Sequence, residues 1–232
     1  MSRSTLCVLA VFLLGLLAVS PAYSQEEPPD RSPLVLATDS LPRGVAQLPY
    51  DLLLQVRGGT PPLHWRVASG ALPPGIQLDA EHGRLHGTPT AVGQFRLSLS
   101  VTDSATPAEG RERVFFLEVV PPLLLVWKQR PATEGDRNDR IAGSVDITNH
   151  TPDEFDLTFI VVAVNEIGKA FALGYQHGPM KGETGPQEFS FGAGMNLPRG
   201  HYVVHVDVVA EVASRNAIYR ARLQTSGALQ VP

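Results

Sequence analysis

The sequence predicts an all-β protein made of two tandem β-sandwich domains that follow an export leader. Three observations carry this prediction. Segments in which apolar and polar residues alternate recur along the 232 residues, and a period of two is typical of half-buried strands. Glycine (21 residues) and proline (20 residues) separate these segments at short intervals, as turns between strands require. A Pro121-Pro122 pair divides the alternating part into two lengths of domain size.

Residues 1–24 have the organisation of a signal peptide. Arg3 gives a positive start, Val8–Val19 is apolar, and Ala22-Tyr23-Ser24 places small residues where signal peptidase reads them. The apolar stretch is too short to span a bilayer comfortably, so we expect cleavage before Gln25 and no transmembrane segment in the mature chain. The polar, proline-rich residues 25–33 (QEEPPDRSP) predict a flexible spacer.

The leader and the composition together limit the function classes. Cys7 is the only cysteine and lies within the leader, so the mature protein would hold no disulfide and no thiolate nucleophile. The formal net charge is -4 and no long basic run occurs, which argues against a nucleic-acid partner. We therefore expect an exported protein in the periplasm, at the cell surface or outside the cell.

The first domain is predicted over residues 34–120. Alternating runs indicate half-buried strands, and a run that is apolar on both faces indicates a more central last strand. The alternating runs are Tyr50–Val56, Leu63–Val67 and Phe95–Val101, and the last strand is Arg113–Val120. The turns between them contain Gly58-Gly59, Pro73-Pro74-Gly75, Gly83 and Gly87-Thr88-Pro89.

The segment from Gly58 to Ser104 resembles the putative immunoglobulin (PIG) repeat of bacterial surface proteins, a cadherin-like sandwich family. The shared positions, in order, are Gly58, Gly59, Pro62, Trp65, Gly70, Leu72, Pro73, Gly75, Leu78, Gly83, Leu85, Gly87, Thr88, Pro89, Gly93, Phe95 and Asp103. The resemblance implies an immunoglobulin-like fold and a non-catalytic module of exported proteins.

The second domain is predicted over residues 122–232 as another immunoglobulin-like β-sandwich, with no closer family resemblance. Strands are expected at Leu123–Trp127, Ile141–Ile147, Phe155–Val164, Lys169–Tyr175 and Tyr202–Ala210, with a polar loop at Thr133–Arg140. Gly200-His201-Tyr202 is similar to the tyrosine corner of immunoglobulin-like domains, in which the hydroxyl returns to nearby backbone.

Histidines and carboxylates offer a limited metal hypothesis. His201, His205 and Asp207 share a strand face, but residues four apart on a strand lie about 13 Å apart, so a single zinc could at most join His205 and Asp207. A solvated strand face is the preferred interpretation.

Calcium is a candidate because the cadherin resemblance implies interdomain sites. Residues 136–139 look like the acidic linker motif of cadherins, and Asp103 matches one carboxylate of another ligand pair. Asp79 and Glu81 add carboxylates of unknown orientation. The candidate ligands are Asp103, Asp136, Asn138 and Asp139. Val101 replaces the partner of Asp103, and the loop also carries Arg137 and Arg140, which oppose a cation. We therefore predict that folding does not depend on calcium.

Enzymatic activity is not expected. The sequence holds no Gly-x-Ser-x-Gly elbow, no His-Glu-x-x-His and no phosphate-cradling glycine loop. His64, His82 and His86 have no evident nucleophile beside them. Asn149-His150-Thr151 fits a glycosylation acceptor, although a plain turn is preferred because Pro152 follows.

The leading hypothesis is a binding or adhesion module for an unknown protein or glycan partner, in which strand-end loops carry recognition. The longest candidate loop is Gln176–Gln187. The alternatives are a structural spacer or envelope-assembly subunit, a calcium-dependent adhesion module, and a carbohydrate-binding module. The last needs an exposed aromatic platform, whereas Trp65 and Trp127 lie in apolar strand patterns and are predicted to be core residues.

Overall fold

The computed structural model describes residues 32–137, 139–192 and 196–232. The predicted signal peptide, residues 1–24, lies outside these residues, as does the predicted spacer except for Ser32 and Pro33. The described chain is almost entirely strand and turn, with one short 3-10 turn at Ala213–Arg215, so the all-β prediction is confirmed. Within these ranges, no helix is long and apolar enough to cross a membrane.

The N-terminal sandwich contains nine strands. They are β1 (Val35–Leu36), β2 (Gly44–Val45), β3 (Tyr50–Leu53), β4 (Val56–Arg57), β5 (His64–Gly70), β6 (Ile76–Asp79), β7 (Arg84–Gly87), β8 (Gly93–Thr102) and β9 (Gly110–Val120).

Two sheets and a small strand pair surround the core of this sandwich. One sheet has the order β2-β9-β8-β5, the other has the order β3-β7-β6, and β1 pairs with β4. Only β2 runs parallel to its partner, β9. The first two strands of the chain therefore have different partners: β1 pairs with β4, and β2 pairs with β9. The enclosed apolar residues include Leu34, Trp65, Leu85, Leu97, Leu99, Phe115 and Leu117.

Two details of this half differ from the sequence-based expectation. The run Tyr50–Val56 is split into β3 and β4, which belong to different sheets, because the chain turns inward at the buried Leu54. The last strand, β9, is internal in its sheet as predicted, but it is not buried on both faces, since Val114 and Phe116 are exposed. The residues that are buried on the outer side of this sheet are instead Ser98 and Ser100 of β8. Strand β8 lies between β9 and β5.

The C-terminal sandwich contains eight strands among its described residues. They are β10 (Leu123–Glu134), β11 (Arg140–Asn149), β12 (Phe155–Asn165), β13 (Ala170–Met180), β14 (Thr184–Gly192), β15 (Gly200–Val212), β16 (Ala217–Gln224) and β17 (Leu229–Val231).

These strands form a three-stranded sheet, β10-β11-β14, and a five-stranded sheet, β13-β12-β15-β16, in which β17 also pairs with β15. Every second residue of β12 and β15 points into the core, which explains the strong alternation in both segments. The enclosed side chains include Phe155, Phe159, Val161, Tyr202, Val204, Val206 and Val208.

The predicted loops of this half are shorter than the sequence suggested. Of the polar loop expected at Thr133–Arg140, Thr133 and Glu134 belong to β10 and Arg140 belongs to β11. The expected recognition loop at Gln176–Gln187 is wrong as a loop, because most of it belongs to β13 and β14. Glycine and proline are frequent there because both strands lie at sheet edges, where a missing backbone donor is tolerated.

The tyrosine corner is confirmed. The ring of Tyr202 is fully buried, and its hydroxyl donates a 2.6 Å hydrogen bond to the carbonyl oxygen of Pro198. Burial raises the pKa of this hydroxyl, and the charge of Glu166 adds to the effect. The phenol therefore stays a neutral donor and fixes the chain as it enters β15.

Pro121 and Pro122 lie between the two sandwiches. Among the described strands, no pairing joins a strand before Pro121 to one after Pro122, and the two hydrophobic clusters share no residue. Residues 32–232 nevertheless form one compact unit. Independent folding of the two sandwiches remains a prediction.

Candidate binding surface

Asp103 supports a loop at the end of the N-terminal sandwich. It is buried, and its carboxylate accepts hydrogen bonds from the backbone N–H groups of Thr60 (3.0 Å), Ala105 (3.3 Å) and Glu109 (2.6 Å). These bonds occupy both carboxylate oxygens, so Asp103 already has a structural role without a cation.

The calcium candidates do not lie at the junction between the sandwiches. Asp103 follows β8 at the end opposite Val120 of β9, and Asp136 and Asp139 follow β10 at the end opposite Leu123. Each strand extends about 35 Å, so these carboxylates cannot share one ion. Asn138 lies outside the described residues. In the described part of the chain, no group of three or more metal-ligating side chains comes together.

The carboxylate of Asp79 organises a turn. It accepts hydrogen bonds from the backbone N–H groups of Glu81 and His82, and its second oxygen lies 2.9 Å from Nδ1 of His82. The hydrogen bonds from His82 lower the pKa of Asp79. Of the other histidines considered from the sequence, His64 is exposed on β5 and His86 is half-buried on β7.

The three residues considered for zinc do not form one metal site. Arg222 donates from Nε to Oδ1 of Asp207 at 2.5 Å, so this carboxylate already has a cationic partner. His201 is exposed, and its backbone N–H donates to Glu166. His205 lies between them on the same face of β15, and in the described part of the chain it belongs to no cluster of metal-ligating side chains.

Asn149 is unsuited to glycosylation because it is buried. Its Nδ2 donates to the carbonyl oxygens of Asp153 (2.8 Å) and Lys181 (3.1 Å), and its Oδ1 accepts from the backbone N–H and the hydroxyl of Thr151. The motif therefore builds a turn, which is the interpretation that the sequence favoured.

The five-stranded sheet of the C-terminal sandwich has one side that faces solvent, here called the Tyr175 face. The strand register arranges its side chains in cross-strand rows. The rows are Pro179-Asp156-Glu211-Ile218, His177-Thr158-Val209-Arg220, Tyr175-Ile160-Asp207-Arg222, Ala172-Val162-His205-Gln224 and Ala170-Val164-Val203.

Apolar side chains occupy the middle of this face. Tyr175 is 67% exposed, and Ile160, directly opposite it on β12, is 38% exposed. Val162, Val164 and Val209 are half-buried on the same side. An exposed aromatic ring beside a run of aliphatic side chains is a common feature of contact surfaces.

Polar side chains around Tyr175 are held in fixed orientations. The Nε2 of His177 lies 3.3 Å from Asp156, and its Nδ1 lies 3.1 Å from the hydroxyl of Thr158. The hydrogen bond with Asp207 raises the pKa of Arg222, which therefore stays charged. These partners restrict the rotamers of the side chains that a ligand would meet, so less entropy is lost on binding.

The edges of the sandwich are less suited to pairing with another chain than its faces. Pro179 lies in the edge strand β13, and Pro186 lies in the edge strand β14. Proline cannot donate to a β-ladder and is a common protection of sheet edges. The face, rather than these two edges, is the surface available for contact.

A smaller exposed patch lies on the N-terminal sandwich. Phe116 is 63% exposed on the outer side of β9, next to Val114. Arg96 of β8 lies directly opposite Phe116. The hydroxyl of Ser98 donates to Glu112 at 2.6 Å. This patch has one aromatic ring but fewer apolar neighbours, which makes Phe116 a useful comparison for Tyr175.

The comparison with family models bears on the N-terminal sandwich. Residues 32–119 match the model of the family described as putative Ig domain. The match covers the putative Ig domain from the start of the described chain to the penultimate residue of β9, so the resemblance seen in the sequence is confirmed.

Solved structures with related folds have low identity. The extracellular domain of protocadherin GammaB4 has 14% identity and a TM-score of 0.37, with 87% of this chain and 34% of that chain covered. Mouse cadherin-23 EC22-24 has 17% identity and a TM-score of 0.33, with 82% and 62% covered.

A shorter match is a putative alpha-galactosidase/melibiase from Bacteroides fragilis, with 18% identity and a TM-score of 0.31. It covers 38% of this chain and only 18% of that chain. At such identities and TM-scores, these matches carry no information on function. A comparison with curated protein sequences gave no match.

Sequence reasoning missed Tyr175 as a surface residue, because the expected strand Lys169–Tyr175 ended at this residue, whereas β13 continues to Met180. The predicted loop began one residue later, at Gln176. The alternation of Tyr175, His177 and Pro179 on one side of β13 was the available signal, but glycine and proline masked it.

Proposed function

We propose that this protein is an exported, non-catalytic binding or adhesion module of the cell surface or envelope, and that the Tyr175 face contacts a partner protein. The observation that supports this proposal most is the row formed by Tyr175, Ile160, Asp207 and Arg222 on a regular, solvent-exposed sheet. A putative Ig domain in the same chain is consistent with a non-catalytic role. Fold alone does not fix function.

The size of the face favours a protein as the partner. Four strands spaced about 4.8 Å apart and five rows spaced about 6.8 Å apart give roughly 650 Å². A standard protein–protein interface buries about 800 Å² on each partner. Tyrosine and arginine are also enriched at such interfaces. The face can therefore supply most of one side of a specific contact.

The test compares Tyr175→Ala with Phe116→Ala, because the two rings are similarly exposed on different sandwiches. Binding of each purified protein to isolated envelopes of the source cell would be measured by sedimentation. Loss of an anchoring tyrosine typically weakens binding by about tenfold or more, so Tyr175→Ala should bind weakly and Phe116→Ala should bind normally. Charge reversal by Arg222→Glu should also weaken binding.

Two treatments of the envelopes separate the candidate partners. Prior protease digestion should abolish binding if the partner is a protein. Loss of binding only after periodate oxidation would identify a glycan instead, a candidate that the exposed ring of Tyr175 favours. Envelope binding that all three variants retain would contradict the proposed face and support the alternative role of a structural spacer.

A further inference from the structure

The backbone between the two sandwiches is held by hydrogen bonds from both sides. The N–H of Ala46 donates to the carbonyl oxygen of Val120 at 2.9 Å. The backbone N–H of His150 donates to the carbonyl oxygen of Pro122 at 2.9 Å, and Nδ1 of the same residue lies 2.8 Å from the carbonyl oxygen of Pro121. Because a carbonyl oxygen only accepts, this Nδ1 carries the proton.

These bonds restrain the torsions that proline leaves free. The pyrrolidine rings of Pro121 and Pro122 fix φ at each residue, but ψ remains adjustable. The value of ψ sets the direction of the carbonyl group, and His150 binds the carbonyl of both residues. One side chain and its own backbone therefore restrain the two remaining rotations of the joint.

The turn that carries His150 is itself rigid. Asn149 Oδ1 accepts the backbone N–H of Thr151 at 2.9 Å, which closes a turn with His150 at its centre. The Nδ2 of Asn149 ties this turn to Asp153 and Lys181, and the carbonyl oxygen of Thr151 accepts the N–H of Glu183 at 2.7 Å. The hydrogen bonds of this turn therefore hold His150 next to the joint.

The space beside the joint would permit movement if His150 did not hold it. A cleft of about 570 Å³ is lined by residues that include Arg43, Thr148 and Thr184, and a second cleft of about 540 Å³ is lined by residues that include Val92 and Ile218. Val92 and Ile218 are both exposed. Because the contact around the joint is open at these clefts, relative motion is the ordinary expectation.

We propose that His150 is the positioning residue that locks the Pro121-Pro122 joint, so that the two sandwiches move as one rigid unit. This role does not depend on the identity of the partner or on the Tyr175 face. It gives a structural role to the Asn149-His150-Thr151 motif, to which the binding proposal assigns no role.

The experiment measures the distance distribution between the sandwiches by pulsed dipolar spectroscopy on the full chain. Spin labels would be attached at Gln77→Cys and Gln224→Cys, two exposed positions on different sandwiches, after Cys7→Ser. His150→Ala removes the side-chain bond to Pro121. His150→Asn keeps a donor, because its Nδ2 can occupy the place of Nδ1. His201→Ala is the matched control, because His201 is an exposed histidine on β15 that contacts Glu166 through its backbone N–H.

We expect one narrow distribution for the unsubstituted joint, for His150→Asn and for His201→Ala. His150→Ala should broaden it, because the loss of one hydrogen bond shifts the balance towards unlocked arrangements by about fivefold. Circular dichroism checks that each variant is folded. A broad distribution for the unsubstituted joint would overturn the proposal, as would equal widths for folded His150→Ala and His150→Asn.

Discussion

Trp65 is the side chain on which the stability of the N-terminal sandwich should depend most visibly. It is 4% exposed, and its indole lies on the backbone of Gly83. A Cβ placed on Gly83 would lie 2.4 Å from Cε2 of the ring, and φ at Gly83 is +66°. The absence of a side chain at Gly83 is therefore what admits the ring, and no small movement would fill the space that the ring leaves.

The cost of Trp65→Ala can be worked out in two ways. Burying about 150–250 Å² of aromatic surface at about 25 cal/mol per Å² contributes about 4–6 kcal/mol. Measured truncations of buried aromatic side chains cost about 3–5 kcal/mol. We therefore expect a loss of about 4 kcal/mol in the free energy of unfolding. This is a large part of the about 5–15 kcal/mol that is typical of a domain.

Urea unfolding followed by circular dichroism would measure this loss, with Trp127 fluorescence as a separate probe of the C-terminal sandwich. The transition of the N-terminal sandwich should move to much lower urea, and the Trp127 signal should move less. Trp65→Phe is the control and should retain much of the stability. An unchanged transition in Trp65→Ala would refute the assignment of Trp65 to the core.

Three further predictions follow from single contacts. Burial raises the pKa of Tyr50 to about 12; the unfolded residue ionises first, so stability should fall as pH rises from about 10 to 12, and Tyr50→Phe should remove this component in urea titrations. Tyr202→Phe should cost about 1 kcal/mol because the partly buried hydrogen bond to the carbonyl oxygen of Pro198 is lost, whereas Tyr175→Phe should cost nothing measurable. Millimolar calcium should leave thermal unfolding unchanged relative to a chelator; a rise in Tm that Asp136→Ala or Asp139→Ala abolishes would contradict this.

Alternation was enough to predict the all-β class and most strands. It succeeded best for β12 and β15, where one side of a long strand is buried among side chains of 0–2% exposure. It failed at Arg113–Val120, because an apolar residue such as Phe116 can stay exposed when no element covers its side of the sheet. It also could not show that Tyr50–Val56 changes sheets at Leu54, since the period of two continues through the break.

Site residues were harder to predict because they depend on pairing between distant strands. The row of Tyr175, Ile160, Asp207 and Arg222 joins four strands, and no local pattern fixes their register. The positions of Asp136 and Asp139 relative to the joint could not be read from the likeness to a linker motif, because both follow the end of β10 that is far from Pro122. The role of His150 was hidden for the same reason, since its partners lie 29 and 28 residues earlier in the chain.

Hydroxyl-radical footprinting of the protein bound to source-cell envelopes tests the central claim most directly. The measured quantity is the oxidation rate of each exposed side chain in the free and bound protein. The account predicts that Tyr175 and Ile160 become protected on binding, while Phe116 keeps its free rate. Protection of Phe116 with no change at Tyr175 would contradict the claim that the Tyr175 face is the contact surface.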